Sequence, residues 1–125
     1  MTEAQRYHRR ILIVALPDVK QNVFQEMFAS RQDVIVVGIA SGCLAAVSMI
    51  HRVYPDVVVI DYHLPEPESA ELIRLVKAEN PFVRSLLLVE TIQQLTKADQ
   101  AGADIALTAY SVPESLAIAF GNMHV

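Results

Sequence analysis

The segment from Pro55 to Pro65 sets a carboxylate at the end of a continuous apolar run. Val57, Val58, Val59 and Ile60 are all β-branched, and such a run without alternation fits a strand buried on both faces of a parallel sheet. Asp61 follows directly, and Pro65 ends regular pairing and turns the chain away. Asp61 is therefore expected at the carboxyl end of a central strand, the edge where open α/β sheets hold their ligand chemistry. What it can do there depends on the side chains that the neighbouring strand ends bring to it.

Two further acids could be drawn in. Glu90 lies at the end of a later apolar run and Asp18 just beyond the first one, so Asp61, Glu90 and Asp18 together would offer oxygen ligands to a hard cation. Asp18 is better placed to cap the helix that follows it, and Glu66 and Glu68 are expected to be solvated or at a helix start, where negative charge is favoured. Cys43 opens a helix and is read as a small apolar filler. His8, His51, His63 and His124 have no ligand spacing, so no zinc site is expected. No Ser/His/Asp or Cys/His set is present, and with 4 Gly in the whole chain there is no glycine-rich phosphate loop.

The elements that must position Asp61 can be read in order. At 125 residues, 53% hydrophobic and 19% charged, the chain has the composition of one folded, core-rich domain. Residues 1–9 form a polar arm and residues 10–125 the domain. Ile11 to Ala15 is a first strand, and Val19, Val23, Phe24, Met27 and Phe28 make one stripe of a helix reaching Ser30. Val34 to Ile39 is the second strand. A helix from Cys43 to Tyr54 is expected to bury Leu44, Val47, Ile50 and Val53. After the third strand, Leu64 to Pro67 is a loop, and a helix from Glu68 with Leu72, Ile73, Leu75 and Val76 inward ends at Asn80-Pro81. Ser85 to Val89 is the fourth strand, Ile92 to Gln100 a shorter helix, and Gly102 suits its left-handed C-cap. Ile105 to Thr108 is a brief fifth strand, and a last helix starts around Ser111 to Glu114.

Strands alternating with helices require a parallel sheet with right-handed crossovers. The fold class is α/β: a flavodoxin-like, doubly wound five-stranded sheet in the order 2-1-3-4-5, with helices on both faces. In that order strands one and three are neighbours, so Ala15 and Leu16 share one end of the sheet with Asp61.

The net charge of −4, with no basic cluster beyond Arg6 to Arg10, argues against nucleic acid as a partner. No apolar segment approaches the ~20 residues of a membrane span. A single Cys fits a reducing compartment, so a cytoplasmic protein without membrane contact is expected. The mean hydropathy of +0.33 suits a sheet covered on both faces and leaves room for an apolar contact surface.

Taken in order and at matching spacings, Ile11 to Val14, Val36-Val37-Gly38, Pro55 to Asp61 with Leu64-Pro65, Ala101 to Asp104, and Val112-Pro113-Glu114 resemble the receiver domains of bacterial two-component response regulators. The resemblance runs from Arg10 to Phe120. It implies that Asp61 stands at the phosphoacceptor position and that His63 supplies the backbone carbonyl of a Mg²⁺ site. It also implies helpers: an acidic pair after strand one for the metal, and a Thr or Ser after strand four and a Lys after strand five for the phosphoryl oxygens. At those positions this chain has Ala15 and Leu16, Val89 (or Glu90 with the loop shifted by one) and Ala109, and the aromatic switch position carries Ala106.

Phosphoryl transfer to a carboxylate builds up negative charge that these partners would stabilise. An ionised Glu90 cannot donate a hydrogen bond in place of a hydroxyl. Losing one well-placed electrostatic partner commonly costs ~10²–10³ in rate, so losing several leaves little. The expectation is a stand-alone atypical receiver, a pseudo-receiver, that is not an enzyme and works by protein contact. It carries no cofactor, and Mg²⁺ binding to the residual candidates Asp61 and His63 is weak or absent. Its partner is a histidine kinase, another regulator or a second copy in a homodimer. The contact face is expected on the last two helices and strand five, anchored by Ile92, Leu95, Leu116 and Ile118. Two alternatives stay open: a phosphorelay receiver that takes phosphate on Asp61 through an unusual site, and a small-ligand module using the apolar pocket at the strand ends.

Overall fold

Unbroken apolar runs become the strands of a sheet covered on both faces. The computed structural model describes residues 9–17, 25–28, 32–61, 64 and 66–108, with the backbone alone for residues 66, 67, 92 and 98–101. The elements are β1 (Arg9–Val14), β2 (Val34–Ala40), α1 (Cys43–Val53), β3 (Val57–Asp61), α2 (Glu66–Glu79), β4 (Arg84–Val89), α3 (Ile92–Ala101) and β5 (Ile105–Thr108). A helical turn at residues 25–28 lies between β1 and β2. The five strands are parallel in the order β2-β1-β3-β4-β5, which is the flavodoxin-like topology expected. The polar arm through residue 8 and the last helix from Ser111 lie outside the described residues.

Alternation along the strands splits the core into two layers. Leu12, Val14, Val58, Ile60, Leu87 and Val89 face α1 and α2, where they pack with Ala46, Ile50, Leu72, Ile73 and Val76. Ile11, Ile13, Ala15, Val57, Val59, Leu86 and Leu88 face the other way and pack with Phe28. Burial of a Leu or Ile side chain contributes about 1.5–3 kcal/mol, so these two layers carry the fold.

Several boundaries differ from expectation for physical reasons. β1 begins at Arg9, inside the stretch assigned to the arm, because Arg9 pairs with Val34 and its N–H donates to the Asp33 carbonyl at 3.0 Å. α2 starts at Glu66 rather than Glu68, with Pro67 in the first turn, where its missing N–H is harmless. The buried stripe of α1 is Cys43, Ala46 and Ile50. Leu44, expected inside, is 88% exposed, since the helix meets the sheet through its small residues and turns Leu44 about 100° away.

Backbone details fix the frame. β2 bulges, so that Val36 faces Ile11 while Gly38 faces Leu12. A Cβ on Gly38 would lie 2.4 Å from Met49 Cε, so any larger residue would make the Met49 side chain shift. α1 ends on Tyr54 in the left-handed region, φ 48°, with its N–H on the Ile50 carbonyl. Arg10 crosses to that end, donating from Nη2 to the Val53 carbonyl at 2.7 Å and from Nε to the Tyr54 carbonyl at 3.3 Å. Gly102 takes φ 91° after α3, as its C-cap role demands. Among the described residues no helix is long and apolar enough to cross a membrane.

Candidate functional site at the carboxyl end of the sheet

Asp61 is the last residue of β3 and pairs with Leu88 of β4. It is only 3% exposed, and its Oδ2 is withdrawn from solvent. Its backbone carbonyl accepts the Leu64 N–H at 3.1 Å, which draws the following chain back over the strand end. Leu64 is itself buried and belongs to the layer that faces α1 and α2.

β1 lies beside β3, with Val14 opposite Ile60, so Ala15 and Leu16 emerge next to Asp61 as the strand order required. Ala15 is fully buried on the same face of the sheet as Asp61, and its N–H donates to the Ala40 carbonyl at 3.0 Å. Leu16 is 37% exposed. Neither brings an oxygen-bearing side chain to the strand end. A hard dication wants six or more oxygens, and among the described residues no three His, Cys, Asp or Glu side chains come together.

On the other flank, Val89, the last residue of β4, is fully buried in the layer opposite Asp61, and Glu90 follows it half-buried, beyond the end of the strand. Glu90 begins a short turn held by a reciprocal cap that composition had not flagged. Gln94 Oε1 accepts the N–H groups of Glu90 at 2.8 Å and Thr91 at 3.1 Å, while Thr91 Oγ1 accepts the Gln94 N–H at 3.2 Å. This is a capping box at the start of α3, legible afterwards in the Thr91-x-x-Gln94 spacing.

The remaining candidates are placed as follows. Ala106, at the switch position, is half-buried in β5 and packs on the layer that faces α2. Leu95 is likewise half-buried and packs on that layer. His63, Asp18, Ala109, Leu116 and Ile118 lie outside the described residues, as does the side chain of Ile92. Cys43 is buried in the core, as a filler should be, and burial followed by the nearby charges of Glu68 and Glu71 pushes its thiol above the usual range. Glu68, expected to be solvated or at a helix start, lies in the first turn of α2 and also reaches the start of α1, where its Oε1 accepts the N–H of Cys43 at 2.8 Å.

With the fold and this strand end described, the comparisons decide the fold family. A two-component response regulator of the LuxR family from Aurantimonas sp. superposes with a TM-score of 0.78 at 26% identity, covering 91% of this chain and 83% of that one. The response regulator domain of Thermotoga maritima CheB matches with a TM-score of 0.77 at 22% identity, over 93% of this chain and 96% of that chain. The chain has the receiver-domain fold of two-component response regulators. A curated relative, protein-glutamate methylesterase/protein-glutamine glutaminase 1 of Methanospirillum hungatei, is 26% identical over 99 residues. That match takes in 76% of this chain and 29% of the relative, so the receiver-like chain spans under a third of the length of the protein it resembles. No family model matches.

Proposed function

We propose that this receiver domain signals by protein contact, without phosphoryl transfer to Asp61. The observation that carries the reading is Ala15: a fully buried methyl group on the face of Asp61, at the strand end where receivers bring acids to a dication. Leu16 follows it, and Glu90 takes the place of a hydroxyl donor on the β4 side. Among the described residues, a phosphoryl group arriving at Asp61 would meet the apolar side chains of Ala15 and Leu16, which do not offset its developing charge. Mg²⁺ binding is weak or absent for the same reason, and the domain is non-enzymatic. Its partner is another protein, a kinase, a regulator or a second copy of the chain. The contact face includes α3 and β5, with Ile92 and Leu95 on the former and Leu116 and Ile118 beyond the latter.

The test is incubation with acetyl phosphate and Mg²⁺, followed by intact-protein mass spectrometry. No phosphoryl adduct is expected beyond the level of Asp61→Asn. A second reading has its own support, since Asp61 stands at the carboxyl end of β3, where the resemblance puts a phosphoacceptor. An adduct formed by the wild-type chain and lost in Asp61→Asn would establish that reading instead.

A further inference from the structure

We infer that Glu68 is a positioning residue for the strand end that bears Asp61, a latch between the start of α1 and the first turns of α2. The inference rests on the reading above, in which no metal or phosphoryl group orders this pole of the sheet.

The first turn of a helix exposes N–H groups that need acceptors. α1 begins after Gly42 and has no side-chain cap of its own. Glu68, from α2, supplies the acceptor: its Oε1 takes the Cys43 N–H at 2.8 Å. A carboxylate at a helix N-terminus gains from the helix dipole as well as from the hydrogen bond. Gly42 makes room for it, since a Cβ there would come within 3.0 Å of the same oxygen. The φ of Gly42 is 174°, extended backbone that any residue adopts, so a side chain there would act only by nudging the Glu68 carboxylate.

The consequence reaches Asp61 through Leu64. Asp61 is fixed in β3 by its pairing with Leu88. Leu64 donates its N–H to the Asp61 carbonyl and is buried in the same apolar layer as Cys43 and Ala40. Glu68 closes the far end. Asp61, Leu64 and Glu68 are thus each held at this pole by groups of the chain itself.

Amide hydrogen exchange by NMR on the full chain tests this with Glu68→Ala and Glu68→Gln. Glu68→Ala should accelerate exchange roughly tenfold at both Cys43 and Leu64 while Ile13 and Val59, in the buried strands, stay unchanged. Glu68→Gln keeps a carbonyl oxygen and should return both amides to within roughly threefold of wild type. Unchanged exchange at Leu64 in Glu68→Ala would overturn the latch, as would equal acceleration of all four amides, which reports loss of global stability. Saturable binding of beryllofluoride to wild type, with the Glu68→Ala effect intact, would remove the phosphorylation-independent reading and leave the latch standing.

Discussion

Asp104 joins the amino ends of β4 and β5 with one carboxylate. Its Oδ2 accepts the Ser85 N–H at 2.8 Å and lies 3.3 Å from Ser85 Oγ, while the Asp104 N–H donates to that hydroxyl at 3.1 Å. Ser85 is fully buried, so its N–H has no water to fall back on. Asp104→Ala should cost about 2–3 kcal/mol in urea denaturation, and Asp104→Asn, which keeps an acceptor, clearly less. Arg84 and Lys77, 3.8 and 4.0 Å from Oδ1, are half exposed and contribute little to that figure. Cys43 gives a second prediction. Its thiol is raised above the ordinary value of 9.0 by burial, then by Glu68 and Glu71. The folded chain therefore holds this proton more tightly than the unfolded one. That contribution to stability is whole below the unfolded value and is lost as pH climbs through the folded one. Denaturation followed from about pH 8 to about pH 10 should show a decline that Cys43→Ala makes shallower. At neutral pH iodoacetamide should modify the folded protein slowly.

Among the elements, the strands and the Gly102 C-cap were readable, and the cap at the start of α1 was not. Runs such as Val57 to Ile60 and Leu86 to Val89 announce strands because a doubly covered parallel sheet needs apolar residues on both faces. The orientation of α1 was harder, since its inward face uses Cys43 and Ala46, which a search for large apolar residues passes over in favour of Leu44. Glu68 escaped for a different reason: its hydrogen bond spans 25 residues, and only topology brings the two elements together. The one hint was negative, a helix opening on Ser41-Gly42-Cys43 without a bonded side-chain cap. The Thr91/Gln94 box was local and could have been found from its spacing. It pins the turn containing Glu90, so Gln94→Ala should cost about 1 kcal/mol in urea denaturation and speed exchange at the Glu90 and Thr91 amides first.

At the scale of the whole molecule, the sheet delivers its strand ends where the receiver fold requires them, and the side chains delivered are the departure. The topology was legible because βα alternation leaves few arrangements open. The position of Asp61 beside Ala15 followed from strand order alone. In the proposed reading, a pole with Ala15 and Leu16 at the strand end, and with the hydrogen bonds of Glu68 and Gln94, holds one shape. The most direct test of that claim is a titration with Mg²⁺, then with Mg²⁺ and beryllofluoride, followed through the backbone amides by NMR. No saturable shift is expected at Asp61, Ala15 or Glu90 at millimolar ligand. Saturable shifts at those amides, absent in Asp61→Asn, would contradict it and return the domain to the phosphorelay.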